Sequence, residues 1–216
     1  MIHWGLVAGL QAEARIARPL GSVAAGGGLP AGATDAEERL VVAGAAALVS
    51  FGLCGGLRPG LAAGTIVVPR RVCTSHDCHE TDRDLSAALG GWSGDVLWAA
   101  DAVVASAADK RVLHAASGAD AVDLESGAVA AVAHRHGLPF AVLRAVCDPA
   151  ESTLPPAALL ALDQAGAIGL WRVAVSLLAA PTQLPALLRL ARDAGRARDA
   201  LIRRVGDIGR NRRLML

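Results

Sequence analysis

Short apolar runs alternate with polar or small-residue stretches along most of the chain, and that alternation predicts strands interleaved with helices. Ile2–Ala8 is a continuous apolar run, read as the first strand, and Gln11–Arg18 follows as the first helix. Ser22–Gly28 predicts a strand running into Gly26-Gly-Gly28, after which Pro30 suits the opening of a helix over Asp35–Ala46. Ala47–Leu53 is uncharged and predicts a buried strand ending at Gly55-Gly56. Gly60 and Gly64 bracket a turn, and Thr65–Val68 is a further strand, stopped by Pro69. Arg71–Arg83 is polar and reads as a loop. Val96–Ala99 and Ala102–Ala105 predict strands, Asp109–Ala116 a helix and Ala121–Asp123 a short strand. Glu125–His136 reads as a helix closed by Gly137, and Pro139–Val146 as another strand. Beyond Asp148 the pattern is helical, over Pro155–Leu162, Leu170–Leu178 and Leu184–Val205.

Strands alternating with helices argue for an α/β sheet protein, and 216 residues suit one such domain. Residues 1–206 are expected to form it, with 183–205 as a C-terminal amphipathic helix and 207–216 as a tail that frays. Leu40–Leu57 is free of charge and long enough to suggest a membrane span, but it is rich in Ala and Gly and contains Ser50 and Gly52. It reads instead as a helix end, a turn and a buried strand.

Composition narrows the function classes. A net charge of +1 implies no polyelectrolyte partner for the whole chain, and a sequence with no Tyr and two Phe lacks the aromatic platform of a nucleic-acid binder. The charge is uneven: Arg189 to Arg213 holds nine arginines against Asp193, Asp199 and Asp207, a net +6. The expected C-terminal helix has an apolar set, Leu184, Leu187, Leu188, Ala191, Ala194, Leu201, Ile202 and Val205, beside the basic Arg189, Arg192, Arg196, Arg203 and Arg204. It is either a packed helix with a solvated face or one that docks on anionic lipid headgroups. Cys54, Cys73, Cys78 and Cys147 form no CxxC pair and no secretory signal precedes them, so reduced thiols in a cytoplasmic protein are expected, with peripheral contact to the inner membrane if the basic helix docks there. Cys73, His76, Cys78 and His79 are the right residue types for zinc, but their spacing matches no established site. No metal and no cofactor is expected.

The chemistry concentrates in Ala121-Val-Asp-Leu-Glu-Ser-Gly-Ala128 and Leu138-Pro-Phe-Ala-Val-Leu-Arg-Ala-Val-Cys-Asp148. An acid opens a small-residue helix, and a buried strand then ends on another acid. This places two carboxylates at one sheet edge. Taken alone, Asp148 followed by Pro149 also reads as a helix cap, Glu125 as a favourable first-turn acid and Leu124 as core.

Three blocks resemble the nucleoside phosphorylase and nucleosidase superfamily: Gly5-Leu-Val-Ala-Gly-Leu-Gln-Ala-Glu13, Ser50 through Pro69, and Val122 through Asp148. Phe51-Gly-Leu-Cys-Gly-Gly-Leu57, Asp148-Pro149 and Gln183 through Arg192 resemble its hopanoid-associated branch, which acts on adenosylhopane. The resemblance implies a three-layer α/β/α sandwich with a mixed central sheet, a homodimer, and cleavage of the adenine–ribose bond of an adenosyl compound. It implies that Asp148 protonates, or hydrogen-bonds to, the purine, that Glu125 accepts hydrogen bonds from the ribose, and that Glu13 orients an attacking water. Leu124, Cys54 and Gly55 are candidate substrate contacts. Cys147 stands where relatives often have serine and reads as a packed thiol.

In phosphorylases of the superfamily the position of Glu13 is an arginine that grips phosphate, and two further phosphate ligands, an arginine and a serine, match Ser50 and Leu53. The site therefore leans towards hydrolysis, although phosphate is a possible co-substrate and Gly26-Gly-Gly28 could offer N–H groups to an anion. Phosphorolysis, a methylthioadenosine-type soluble substrate, and a non-catalytic nucleoside- or lipid-binding module are the alternatives.

Overall fold

The computed structural model describes residues 3–26, 30–159 and 181–214. The longest strand, β3 (Ala47–Gly56), organises the sheet, because different stretches of it belong to different neighbours. Ala47–Phe51 of it run parallel to β1 (Trp4–Ala8) on one side, and Leu48–Gly55 run parallel to β9 (Phe140–Asp148) on the other. β2 (Ser22–Ala25) extends the sheet beyond β1, and β4 (Ile66–Val67) pairs antiparallel with β9. At its far end β3 turns antiparallel to β8 (Ala121–Asp123), through Gly55↔Val122 and Gly56↔Ala121. From there the sheet continues through β7 (Gly94–Ala99) and β5 (Pro69–Cys73) to β6 (Cys78–Glu80).

Both faces are apolar because the strands alternate between two cores. Val7, Leu48, Val142 and Val146 face α2 (Pro30–Val42) and α5 (Ser126–Arg135). Leu6, Val49, Leu143 and Ala145 face the other way, towards α1 (Gln11–Ala17), α3 (Arg83–Ala88) and the C-terminal helix. The result is a three-layer α/β/α sandwich with a mixed sheet. α4 (Ala107–Ser117) covers the β7–β8 side through Leu113, and α6 (Pro156–Leu159) follows β9. The C-terminal helix, α7, is Leu184–Leu214.

Several expectations are corrected. Pro69 does not stop a strand but opens β5, and the polar stretch after it is the β5–β6 hairpin; its alternation was obscured because the consecutive Arg70 and Arg71 are both exposed. Ala102–Ala105 is not a strand: it makes no ladder and leads into Ser106, which caps α4 by accepting from the Asp109 N–H. Cys73 and Cys78 face one another in the hairpin register and are joined as a disulfide, against the expectation of reduced thiols throughout. That bond removes both sulfurs from the zinc-like set, and His79 lies 5.3 Å from the His134 ring. Past Gly206 the described residues continue α7 as far as Leu214. On α7 the buried positions are Ala197, Ala200, Leu201, Val205 and Ile208, whereas Leu184, Leu188 and Ile202 are exposed. Arg204, from the expected basic face, is tied inward to the Leu89 carbonyl at 3.0 Å. Leu40–Leu57 is the end of α2, a turn and β3, and among the described residues no helix is long and apolar enough to cross a membrane. Gly27, Gly28 and Leu170–Leu178 lie outside the described residues.

One core residue has no counterpart in the pattern. Glu37, on α2, is fully buried with neither carboxylate oxygen hydrogen-bonded, and burial pushes its pKa to about 9.

Candidate active site

Four carboxylates and one arginine gather around the second half of β3. Glu13 sits in the first turn of α1, where it closes a capping interaction: Oε2 accepts from the Leu10 N–H at 2.8 Å. Its other oxygen, Oε1, accepts from the Leu53 N–H of β3 at 2.9 Å, so the carboxylate bridges helix and sheet. Burial raises its pKa to about 7, against the pull of the Arg144 charge and with the Glu125 charge adding to the rise.

Arg144 occupies a core-facing position of β9 and is 1 % exposed. A guanidinium so placed needs acceptors on all sides. It finds Asp123 at 2.6 Å, Glu125 at 2.7 Å, Ser50 Oγ at 2.8 Å and the Leu53 carbonyl at 3.3 Å. These acids hold its pKa above the ordinary arginine value despite burial. Asp123 is pushed upward by burial, opposed by Arg144, and is also contacted by Ser126 Oγ, which lies 2.9 Å from Ser50 Oγ. Glu125 caps nothing with its side chain, although it immediately precedes α5; the carboxylate is turned towards Arg144 instead.

Two glycines make room for this cluster. A Cβ at Gly9 would lie 2.1 Å from Glu125 Oε1. At Gly52, where φ is +152°, a Cβ would meet Arg144 at 2.6 Å and the Glu13 carboxyl at 2.8 Å.

Asp148 ends β9 opposite Gly55. The Leu53 amide that holds Glu13 and the Gly55 that pairs with Asp148 are two residues apart on β3, roughly 7 Å along a strand. Asp148 is buried and ion-paired with Lys110 of α4. Burial raises the carboxyl pKa while Lys110 lowers it, by hydrogen bond and by charge. A cavity of about 110 Å³ lies against Asp148 and Cys147, walled by residues 151–155 and by Arg189 and Asp193 of α7.

The other sequence candidates fall in the same neighbourhood. Cys54 is buried in β3 with its thiol pKa raised well above the ordinary value by burial. Gly55 lies at the junction of β3, β8 and β9. Leu124 is half-buried between β8 and α5. Cys147 is half-buried, and burial raises its pKa to about 12, which keeps it a thiol at neutral pH.

Sequence reasoning assigned no role to Arg144, Asp123, Ser50's hydroxyl or Lys110. An arginine in an otherwise apolar strand was the available signal for Arg144. For Lys110 it was rarity: among 21 Lys and Arg residues it is the chain's only lysine.

A family model described as the phosphorylase superfamily matches residues 19–88 and 95–168. No curated protein matches the chain. Among solved structures, it is similar to a mutant 5′-methylthioadenosine/S-adenosylhomocysteine nucleosidase of Helicobacter pylori with 5′-methylthioadenosine in its active site: TM-score 0.66 and 18 % identity, covering 96 % of this chain and 99 % of that one. The futalosine hydrolase of the same organism aligns with TM-score 0.59 and 19 % identity over 68 % of this chain and 89 % of that one. The Streptococcus pneumoniae nucleosidase bound to 8-aminoadenine gives 0.62 and 20 % over 69 % and 87 %. At these identities the likeness is one of fold.

Proposed function

The chain belongs to the phosphorylase superfamily, and from that premise we propose that it is a nucleosidase that cleaves the N-glycosidic bond of an adenosyl compound with water as acceptor. The observation that carries this reading is the placement of Glu13, buried with its pKa near 7, beside the Arg144–Glu125 ion pair, two residues along β3 from the pairing with Asp148.

Breaking the C–N bond builds positive charge on the ribose and negative charge on the base. Asp148 neutralises the base by giving a proton to a ring nitrogen. Glu125 accepts hydrogen bonds from the ribose hydroxyls, with its carboxylate fixed by Arg144. Glu13 takes the proton of the attacking water, a task for which a pKa near neutrality is suited. Water is preferred to phosphate because three acids, Glu13, Asp123 and Glu125, already face the one guanidinium. A phosphate dianion there would meet more repulsion than attraction.

The substrate reading is adenosylhopane, within hopanoid lipid synthesis. It is supported by the branch-like motifs quoted above and by a groove of about 650 Å³ between α1 and α7, lined by Ile16 and Ile202 together with Arg15, Arg198 and Arg210. Such a surface fits an apolar chain below an anionic headgroup layer. A soluble methylthioadenosine-type substrate is the competing choice, and 5′-methylthioadenosine is present in one structural neighbour.

The test is adenine release by the purified protein from adenosylhopane and from 5′-methylthioadenosine, with and without phosphate, alongside Asp148→Asn. Release without phosphate, abolished in the variant, is expected. Strict phosphate dependence would make the protein a phosphorylase, and release from the soluble substrate alone would remove the lipid assignment.

A further inference from the structure

We propose that Lys110 is the positioning residue of Asp148 and the source of the proton that Asp148 passes to the departing base. The inference rests on the reading of Asp148 as the acid, and deepens it.

Lys110 is 0 % exposed, and its ammonium has three donors and three acceptors around it. These are Asp148 Oδ2, the Pro149 carbonyl at 3.0 Å and the Ser152 carbonyl at 3.0 Å. The arrangement fits a tetrahedral ammonium and not a planar guanidinium. Everywhere else the chain uses arginine for positive charge; here, and only here, it uses lysine. Arginine cannot give up a proton near neutral pH, whereas a buried lysine can.

The surrounding contacts fasten the same unit. The Ala107 N–H donates to Thr153 Oγ1 at 3.0 Å, and the Leu154 N–H to the Ala105 carbonyl at 2.9 Å. Residues 149–154 are thereby stitched to the start of α4 with Lys110 at the centre. The Lys110 ammonium thereby holds the Asp148 carboxylate in an ion pair inside the fold.

The proton balance closes. The C–N bond breaks with its electron pair on the base. A base nitrogen takes a proton from Asp148 as the Asp148 carboxylate takes one from Lys110, leaving a neutral amine and an ionised carboxylate. On the other side of the sugar, water adds to the anomeric carbon and its proton goes to Glu13. Solvent restores both groups after product leaves. Among the described residues, the other ionisable groups around Asp148 are Glu151 and Cys147 on its own segment and Arg189 and Asp193 from α7; Asp193 is paired with Arg196.

Two measurements test this. In Lys110→Met the donor is gone and Asp148 can act only in the fraction that holds its own proton, so the alkaline limb of the kcat/KM profile is expected to move down by at least one pH unit. A limb that stays in place, whatever activity is lost, reduces Lys110 to a structural role. The second needs no folded Lys110 variant. Protein labelled with 15N-lysine gives a single side-chain signal, expected to be that of a charged ammonium in the resting protein and displaced in Asp148→Asn. A neutral amine at rest, or a signal unmoved by Asp148→Asn, overturns the proposal. Failure of the parent reading looks different: Asp148→Asn would itself still release adenine.

Discussion

If Glu13 is the base that activates water, acidification should switch the protein off well above the range of an ordinary glutamate. Burial raises its pKa from 4.5 to about 7, because the carboxylate is removed from water and shares its surroundings with Glu125. Only the ionised form can accept a proton, so the active fraction is about nine-tenths at pH 8 and about one-tenth at pH 6. A glutamate titrating at 4.5 would still be almost wholly ionised at pH 6. The assay is the initial rate of adenine release between pH 5.5 and 9, reported as kcat/KM so that it reads the free enzyme. Circular dichroism at each pH confirms that the fold persists. A drop of about tenfold from pH 8 to pH 6 is expected, with Glu13→Gln inactive across the range. The departing base must also receive a proton through Asp148, and that limits the opposite, alkaline side. A profile flat down to pH 5.5 would refute the argument, since it would mean that the working base is not the residue burial has perturbed.

Gly9→Ala places a Cβ against Glu125 Oε1 and should lower kcat/KM at least tenfold with the melting temperature nearly unchanged, measured by kinetics and a thermal scan side by side. Arg144→Met strands Asp123 and Glu125 without their cation and should cost about 3–5 kcal/mol in urea unfolding, besides abolishing turnover; a loss below 1 kcal/mol would mean the ion pairs matter little. Glu37→Gln should stabilise the protein increasingly with pH. Its folded pKa, near 9, lies above the ordinary 4.5, so the wild type is favoured in the protonated form and loses stability as pH rises through that window. The variant's advantage should grow by a little over 1 kcal/mol per pH unit and reach about 3 kcal/mol at pH 7, read from paired urea curves; parallel curves would contradict it.

The sandwich was legible because its central strands are apolar on both faces, so that Ala47–Leu53 and Pro139–Val146 stand out as runs. The β5–β6 hairpin was not, because Arg70, Arg71 and Glu80 are all exposed on this outer pair and break the alternation. Helix α7 was extended too little because Gly206 and Gly209 read as breakers, whereas Val205 and Ile208 pack across them and carry the helix on. Of the candidate site, Glu13, Glu125 and Asp148 could be named because acids in apolar surroundings are conspicuous. Their cationic partners could not: Arg144 and Lys110 meet them only through strand register and a helix docked 38 residues away in sequence.

The way β3 divides its neighbours has a dynamic consequence. Eight residue pairs join it to β9, but only two join it to β8. Glu13 and Asp148 belong to the broad side of that seam, while Asp123 and Glu125 hang from the narrow side, pinned across it by Arg144 and by the Ser50–Ser126 contact. The two halves of the site therefore need not share one lifetime. The short β8 ladder can loosen while the β3–β9 ladder stays assembled, although α5 beyond Glu125 remains packed in the core. In hydrogen exchange the amides of β8 should let go before those of β9, and a bound sugar, by filling the place where the halves meet, would bring their rates together.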